Sequence, residues 1–379
     1  MRSPGHATSV VLPAIAALSA VLATSCGSSR SDAVGPTNPK VTASRKAAAR
    51  AAPTGSVWFT CAQPDGPYEG LRPIAAGRRL QVATTVAPIT SIVANIAGDL
   101  ADVAGIVPEG ANSHTFEPRP SVAELLSEAD LVIVNGLKLE DPTIELAETN
   151  AAPGSAIVEL GTRTITAEEQ IYDFSFPKEG GKPNPHLWTD PQLAACYARI
   201  SADAMKAADP ANAAAYEANA IALIARMHDL DLAFRAASDT VAEKNRRLLT
   251  YHDAYAYFAQ TYGWTVIGAI QVGDFEEPTP REVADLIAQV KAVGVPAIFG
   301  SEVFPSPVLE QIGKEAGVEY VDELRDDDLP GVPGDDDHSY LGLMRFDLAT
   351  MVKALGGDPS GLIALDVTDV TDDSARYPQ

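Results

Sequence analysis

The stretch Tyr251-His252-Asp253-Ala254-Tyr255-Ala256-Tyr257-Phe258 carries a histidine where one predicted element ends and the next begins. Residues 247–250 before it, which include Leu248 and Leu249, predict a buried strand, and the residues after it predict a helix over 253–262. Open parallel α/β sheets bind their ligands at such junctions, beyond the carboxyl ends of the strands. We therefore interpret His252 as a binding residue.

Two more histidines lie at comparable junctions. His114 follows a predicted strand at residues 103–107 and precedes a helix that begins at Pro120. His186 lies just before a helix that begins at Pro191. A lone histidine in a loop is usually only a polar surface residue, but three at equivalent places indicate one shared site.

A fourth loop, before the last predicted helix, contains the consecutive carboxylates Asp326, Asp327 and Asp328. It occupies the same position in its own strand–helix unit as the three histidine loops do in theirs. Three imidazoles and one carboxylate make a closed four-coordinate set of donors, which suits zinc. The sequence therefore predicts a metal site assembled from four loops.

The other histidines have simpler explanations. His6 lies in the N-terminal segment, and His228 lies at the border of the apolar face of a long predicted helix. His338 follows three aspartates at the start of the last predicted helix, where acidic residues interact favourably with the helix dipole. An accessory role in collecting cations is the alternative for His338.

Composition limits the class of partner. The chain has 379 residues, of which 46% are hydrophobic, enough for two domains of ordinary size. Its formal net charge is -23. This charge argues against a nucleic-acid partner, because phosphate binding needs a basic surface. It suits a protein that handles cations, although solubility alone is the alternative explanation.

Residues 1–26 predict a signal peptide. Arg2 supplies a short positive region, and residues 10–23 are apolar but short for a membrane span. The segment ends in Leu22-Ala23-Thr24-Ser25-Cys26, which resembles a lipoprotein cleavage box except that Ala23 stands where leucine is usual. We expect a lipid on Cys26, and a plain secretory signal is the alternative.

Residues 27–79 predict a flexible linker, because they are rich in Ser, Ala, Pro and Gly and have no sustained period. Within them an apolar island at residues 57–61 ends in Cys61. If Cys26 carries lipid, Cys61 and Cys196 remain for a disulfide in an oxidising compartment. Such a bridge would fix the island to the first domain, and two separate thiols are the alternative.

The folded part divides into two similar halves. Residues 80–210 alternate between apolar strands and helices, which predicts a parallel sheet covered on both faces. Residues 211–244 predict one linking helix, about 45 Å long over about thirty residues. Residues 245–379 repeat the alternation. The predicted fold class is α/β, with two (βα)4-type lobes joined by one long rigid helix and the metal site in the cleft.

Four motifs resemble those of the metal-binding lipoproteins of bacterial ABC importers for zinc and manganese, over residues 80–356. One is the stretch around His252, and the others are Gly110-Ala111-Asn112-Ser113-His114-Thr115-Phe116-Glu117-Pro118, Asn184-Pro185-His186-Leu187-Trp188-Thr189-Asp190-Pro191 and Ser339-Tyr340-Leu341-Gly342-Leu343-Met344. The resemblance implies His114, His186 and His252 as metal ligands, with an aspartate as the fourth. Spacing favours Asp327, and its two aspartate neighbours stay open as alternatives.

The resemblance also implies a function. It implies a protein that captures Zn²⁺ outside the cytoplasm and delivers it to an ABC permease and its ATPase, anchored to the membrane only through lipid on Cys26. Manganese members resemble this pattern with a glutamate at the third position, so His252 favours zinc. A manganese- or iron-binding importer component is the alternative. The chain lacks the His-rich loop of many zinc members, so loading requires a metallochaperone or direct capture.

A secreted zinc hydrolase is the alternative from a different class. It needs an open coordination position and a general base. The sequence has no His-Glu-x-x-His motif, and the acidic fourth ligand closes the site. We therefore expect no enzymatic activity.

Overall fold

The computed structural model describes residues 58–63, 66–270, 278–301 and 306–378. The predicted signal peptide, Cys26 and the predicted linker up to residue 57 lie outside the described residues. All described residues belong to one compact unit. Within them, no helix is both long and apolar enough to cross a membrane.

The first lobe is built on a four-stranded parallel sheet. Its strands, in the spatial order β2-β1-β3-β4, are β1 (Leu80–Thr84), β2 (Ala101–Gly105), β3 (Leu131–Val134) and β4 (Ala156–Glu159). Its helices are α1 (Ala87–Ala97), α2 (Pro120–Glu128), α3 (Asp141–Asn150), α4 (Leu160–Thr164) and α5 (Pro191–Ala208). Every residue of β3 is buried, which explains its uninterrupted apolar sequence.

The second lobe has the same strand order. Its parallel sheet, in the order β6-β5-β7-β8, contains β5 (Arg247–Thr250), β6 (Thr265–Ala269), β7 (Ala297–Ser301) and β8 (Glu319–Leu324). Its helices are α7 (Ala256–Tyr262), α8 (Pro280–Val293), α9 (Pro307–Ala316), α10 (Tyr340–Ala354) and α11 (Ser360–Ile363). In both sheets the order reverses beside the first strand, which is where such sheets bind ligands.

One long helix, α6 (Ala213–Thr240), joins the lobes. Its 28 residues span about 42 Å at 1.5 Å per residue. Tyr216, Leu223 and Phe234 are buried along it. It packs against α5 and α1 of the first lobe and against α10 and α11 of the second. The predicted fold class, two α/β lobes linked by a long helix, is therefore confirmed.

Helix α7 begins later than the sequence predicts, at Ala256 instead of residue 253. The reason is that both preceding residues contact other loops instead of entering the helix. His252 shares a hydrogen bond with Asp326, and the carboxylate of Asp253 accepts one from Ser175 N. The turn that precedes α7 thus belongs to the cleft.

The C-terminal segment, residues 365–378, runs from the second lobe to the first. Leu365 O accepts a hydrogen bond from Arg345 of α10 at 3.1 Å. Further along, Gly105 N donates to Arg376 O at 2.8 Å, and Arg376 N donates to Val103 O at 3.0 Å. The segment thereby pairs with the edge of β2. These residues belong to the predicted C-terminal lobe, residues 245–379, and their contact with the first lobe was not predicted.

Cys61 and Cys196 form a disulfide, with Cα atoms 5.6 Å apart, so the predicted bridge is confirmed. The apolar island around Cys61 also contacts the long helix, because the Trp58 ring stacks on His228 with centroids 4.8 Å apart. His228 is therefore half-buried beneath this island rather than a plain surface residue.

We expect the bridge to be present in the oxidised protein. Thiol labelling of the unfolded, unreduced chain should leave Cys61 and Cys196 unmodified, and labelling after reduction should modify both. Reduction should also lower the free energy of unfolding by about 2–4 kcal/mol, because the bridge restricts the unfolded chain. Labelling of both cysteines before reduction would contradict the bridge.

Candidate metal centre

Three imidazoles and one carboxylate meet between the lobes. His114, His186, His252 and Asp327 each offer one ligand atom, and these atoms all lie within 4.8 Å of one another. His114 lies in the loop between β2 and α2, and His186 lies just before α5. His252 follows β5 almost directly, and Asp327 follows β8. The structure thus brings together the four side chains that the sequence predicted as a cluster, two from each lobe.

The three imidazoles face each other through the same ring nitrogen. The Nε2 atom of His114 lies 3.0 Å from that of His186 and 2.9 Å from that of His252. Neighbouring ligands in a tetrahedral zinc site are about 3.3 Å apart, since each lies about 2.0–2.1 Å from the ion. The separation of the nitrogens is therefore close to that of a set of donors around one cation.

Hydrogen bonds behind His186 fix the orientation of its ring. Its Nδ1 lies 2.8 Å from Asn184 Oδ1, which can only accept, so Nδ1 carries the proton and Nε2 is left as a donor of electrons. Asn184 Nδ2 in turn donates to Asp173 Oδ2 at 2.9 Å and to Asp253 O at 2.7 Å. Burial, followed by the charge of Asp253, raises the pKa of Asp173 to about 9.

The three consecutive aspartates have three different contacts. Asp326 Oδ2 lies 2.9 Å from Nδ1 of His252, behind the ring. Asp328 Oδ2 accepts a hydrogen bond from Gly110 N at 3.0 Å. Only Asp327 faces the imidazole cluster, with Oδ1 at 3.8 Å from His186 Nε2. The geometry therefore favours Asp327 over its neighbours as the fourth donor.

Asp327 itself is held by the opposite lobe. Its Oδ2 accepts a hydrogen bond from Ser113 at 2.6 Å, whereas its buried Oδ1 accepts none from any described residue. A buried carboxylate oxygen without a partner costs free energy. A cation among the four side chains would remove that cost, so this set of donors fits a divalent metal.

The two histidines of the first lobe share a local pattern that was not predicted from the sequence. Each is preceded two residues earlier by an asparagine whose Oδ1 accepts the histidine backbone N–H, at 2.9 Å for Asn112 and His114 and at 3.1 Å for Asn184 and His186. The repeated Asn-x-His spacing was visible in the sequence. It shapes both turns in the same way.

Burial and charge shift the pKa values of the four side chains in different directions. Burial, aided by the charge of His252, lowers the pKa of both His114 and His186, so these rings are neutral. Burial alone would also lower the pKa of His252, but the surrounding carboxylates, of which Asp326 contributes most, together raise that pKa to about 9. Burial raises the pKa of Asp327 to about 6. Most of the proton competition with a cation therefore lies on the second lobe.

The centre has apolar walls and one more accessible side. The Phe176 ring lies 5.7 Å from the rings of both His114 and His186, and Trp188 lies 5.0 Å from His186. His114 is half-buried, while the other three donors are buried. Of the four donors, His114 is therefore the one nearest to solvent.

His338 lies outside this cluster. Its Nδ1 donates to Pro330 O at 3.0 Å, and its Nε2 lies 3.0 Å from Glu109 Oε1 in the loop that also carries His114. It is a buried contact between the lobes. Its role in collecting cations stays a prediction.

The chain matches the family described as the periplasmic zinc-uptake complex component A over residues 82–354. It is similar to a manganese-binding lipoprotein of Halalkalibacterium halodurans, 28% identical over 279 residues, which are 74% of this chain and 89% of that protein. It is also similar to an iron ABC transporter substrate-binding lipoprotein of Streptococcus pyogenes, 28% identical over 290 residues, 74% of this chain and 90% of the relative.

A solved structure shares the fold. The periplasmic zinc binding protein of Treponema pallidum superimposes with a TM-score of 0.66 at 24% identity, covering 73% of this chain and 99% of that one. The family match extends over more than half of the sequence, which confirms the resemblance seen in the motifs. The chain therefore belongs to the family of the periplasmic zinc-uptake component A, and it is a metal-binding substrate-binding protein of an ABC importer and not an enzyme.

Proposed function

We propose that this protein captures Zn²⁺ outside the cytoplasm and delivers it to an ABC permease driven by an ATPase. Its ligands are His114, His186, His252 and Asp327. The observation that carries the proposal is the convergence of three imidazole Nε2 atoms on a buried Asp327 oxygen that accepts no hydrogen bond from the described residues. Three nitrogen donors and one oxygen suit zinc, whereas manganese prefers oxygen.

A manganese or iron importer component is the second candidate. The two relatives compared above are named for manganese and for iron, so membership of the family leaves the metal open. The donors of this chain argue for zinc, because nitrogen outnumbers oxygen by three to one.

The distribution of the ligands couples capture to the arrangement of the lobes. His114 and His186 come from the first lobe, and His252 and Asp327 come from the second. A bound cation therefore adds bonds between lobes that already pack on one long helix. The stiffness of α6 favours small loop movements over a wide hinge motion between the loaded and the free state.

Location and loading complete the proposal. A lipid on Cys26 would hold the protein on the outer side of the cell membrane. We favour direct capture at the side of His114 over loading by a metallochaperone, with the net charge of -23 attracting cations. The same charge makes nucleic acid an unsuitable partner.

Metal competition tests the proposal directly. Apo protein titrated with Zn²⁺ in the presence of Mn²⁺ should bind zinc much more tightly, because imidazole nitrogen is a better donor for zinc. Calorimetry with each metal separately serves as the control. Equal affinities for the two metals would contradict the zinc assignment and favour the second candidate.

The ligand set predicts which variants lose the response to zinc. Zinc at a thousandfold excess over Kd should stabilise the wild type by about 4 kcal/mol and so raise its melting temperature. His252→Ala and Asp327→Ala should lose most of this rise in melting temperature, whereas Asp328→Ala should keep more of it, since that side chain holds Gly110 and not the cation. His228→Ala, outside the centre, is the matched control. If Asp328→Ala loses more zinc affinity than Asp327→Ala, the ligand assignment is wrong.

The pH dependence follows from the second-lobe donors. Zinc binds neutral imidazole and ionised carboxylate. Because the pKa of His252 is about 9, zinc affinity should rise by about tenfold per pH unit between about pH 6 and 9 as that proton is displaced. Below about pH 6 the slope should steepen, because Asp327 also takes up a proton. Affinity that stays flat from pH 6 to 8 would contradict a ligand role for His252.

A further inference from the structure

We propose that Asp326, which does not face the cation, positions His252 and sets the preference of the centre for zinc over manganese. The inference rests on the proposed function. It assigns to Asp326 a role separate from that of the ligand Asp327, although the two are adjacent in the chain.

The contact between Asp326 and His252 is short and shielded from water. The two side chains are 3% and 2% exposed, and Oδ2 lies 2.9 Å from Nδ1. A carboxylate in this position keeps the proton on Nδ1, holds the plane of the ring, and leaves Nε2 to bind a metal. It also makes the ring a stronger electron donor. The ring of His186, by contrast, has the neutral amide of Asn184 behind it.

The backbone of Asp326 is held in an uncommon conformation to make this contact. Its φ is 32°, in the left-handed region that few residues other than glycine adopt. The surroundings hold each of its polar groups. Its N–H donates to Asp347 at 3.3 Å, its C=O accepts from Trp188 Nε1 at 2.9 Å, and its Oδ1 accepts from Asp327 N at 3.0 Å. Strain that the surroundings maintain is typical of functional positions.

The negative charge of Asp326 is a second argument for its role in metal binding. Asp326 and Asp327 are both buried, and one divalent cation neutralises the two carboxylates together. A stronger imidazole donor raises the affinity for zinc more than the affinity for manganese, because zinc binds nitrogen more tightly. Removing the carboxylate behind His252 should therefore weaken zinc binding more than manganese binding.

Two variants of Asp326 and one control variant separate the effects of ring orientation, charge and backbone strain. Asp326→Asn keeps an acceptor for His252 and tolerates the left-handed backbone but removes the charge. Asp326→Gly removes the side chain and relieves the backbone strain. Asp336→Asn removes one exposed negative charge from the same lobe and is the matched control. The readouts are zinc and manganese affinities by competition and the visible absorption spectrum of the Co²⁺-loaded protein.

We expect Asp326→Asn to lose about 10- to 100-fold in zinc affinity and less in manganese affinity, so that the ratio of the two falls. Asp326→Gly should lose at least as much, with an altered Co²⁺ spectrum, and Asp336→Asn should match the wild type. A purely structural role for Asp326 predicts a changed metal-free melting temperature with the ratio intact, and that result would overturn the proposal. Equal losses for both metals would overturn it too. A wild type that does not prefer zinc refutes the proposed function instead, whatever the variants do.

Discussion

Four electron donors must face one another in a buried space, and the rest of the structure depends on that constraint. Without partners behind them, the rings would rotate and the carboxylate would find another hydrogen bond. Asn184 holds His186, Asp326 holds His252, and Ser113 holds Asp327. Two sheets with the same strand order point the carboxyl ends of their strands into one cleft, and α6 packs against helices of both lobes. These contacts fix the directions of the donors, and donors whose directions are fixed lower the cost of binding.

Much of this arrangement follows from residue patterns. Apolar strands and helices begun by proline predicted both sheets, and the strand–helix junctions predicted the three histidines. The choice among three adjacent aspartates did not follow, because the direction of each side chain depends on local backbone angles. The left-handed φ of Asp326 turns its carboxylate behind His252, and composition does not encode that angle. The role of Asn184 was not predicted although its Asn-x-His spacing is visible in the sequence; its hydrogen bond to Asp253 O, 69 residues away, depends on the folded structure.

The choice of metal is a property of the site and not of the fold. Relatives named for manganese and iron are 28% identical to this chain, and the chain itself belongs to a family named for zinc uptake. The scaffold supplies a cleft with four loops, and in this chain the side chains of those loops supply three nitrogen donors and one oxygen donor. Specificity is a difference between affinities, so a small change in donors suffices to shift it.

The pairing of the C-terminal segment with β2 has a consequence for how the chain reaches its native state. The bridge between Ala104 and Arg376 joins positions separated by most of the sequence. Contacts between distant positions form slowly, because a long loop must close first. The free edge of β2 is therefore among the last features to be covered, and an uncovered edge invites pairing with other chains. For an exported protein, slow completion is compatible with crossing the membrane unfolded, while the final segment then shields the sheet from aggregation.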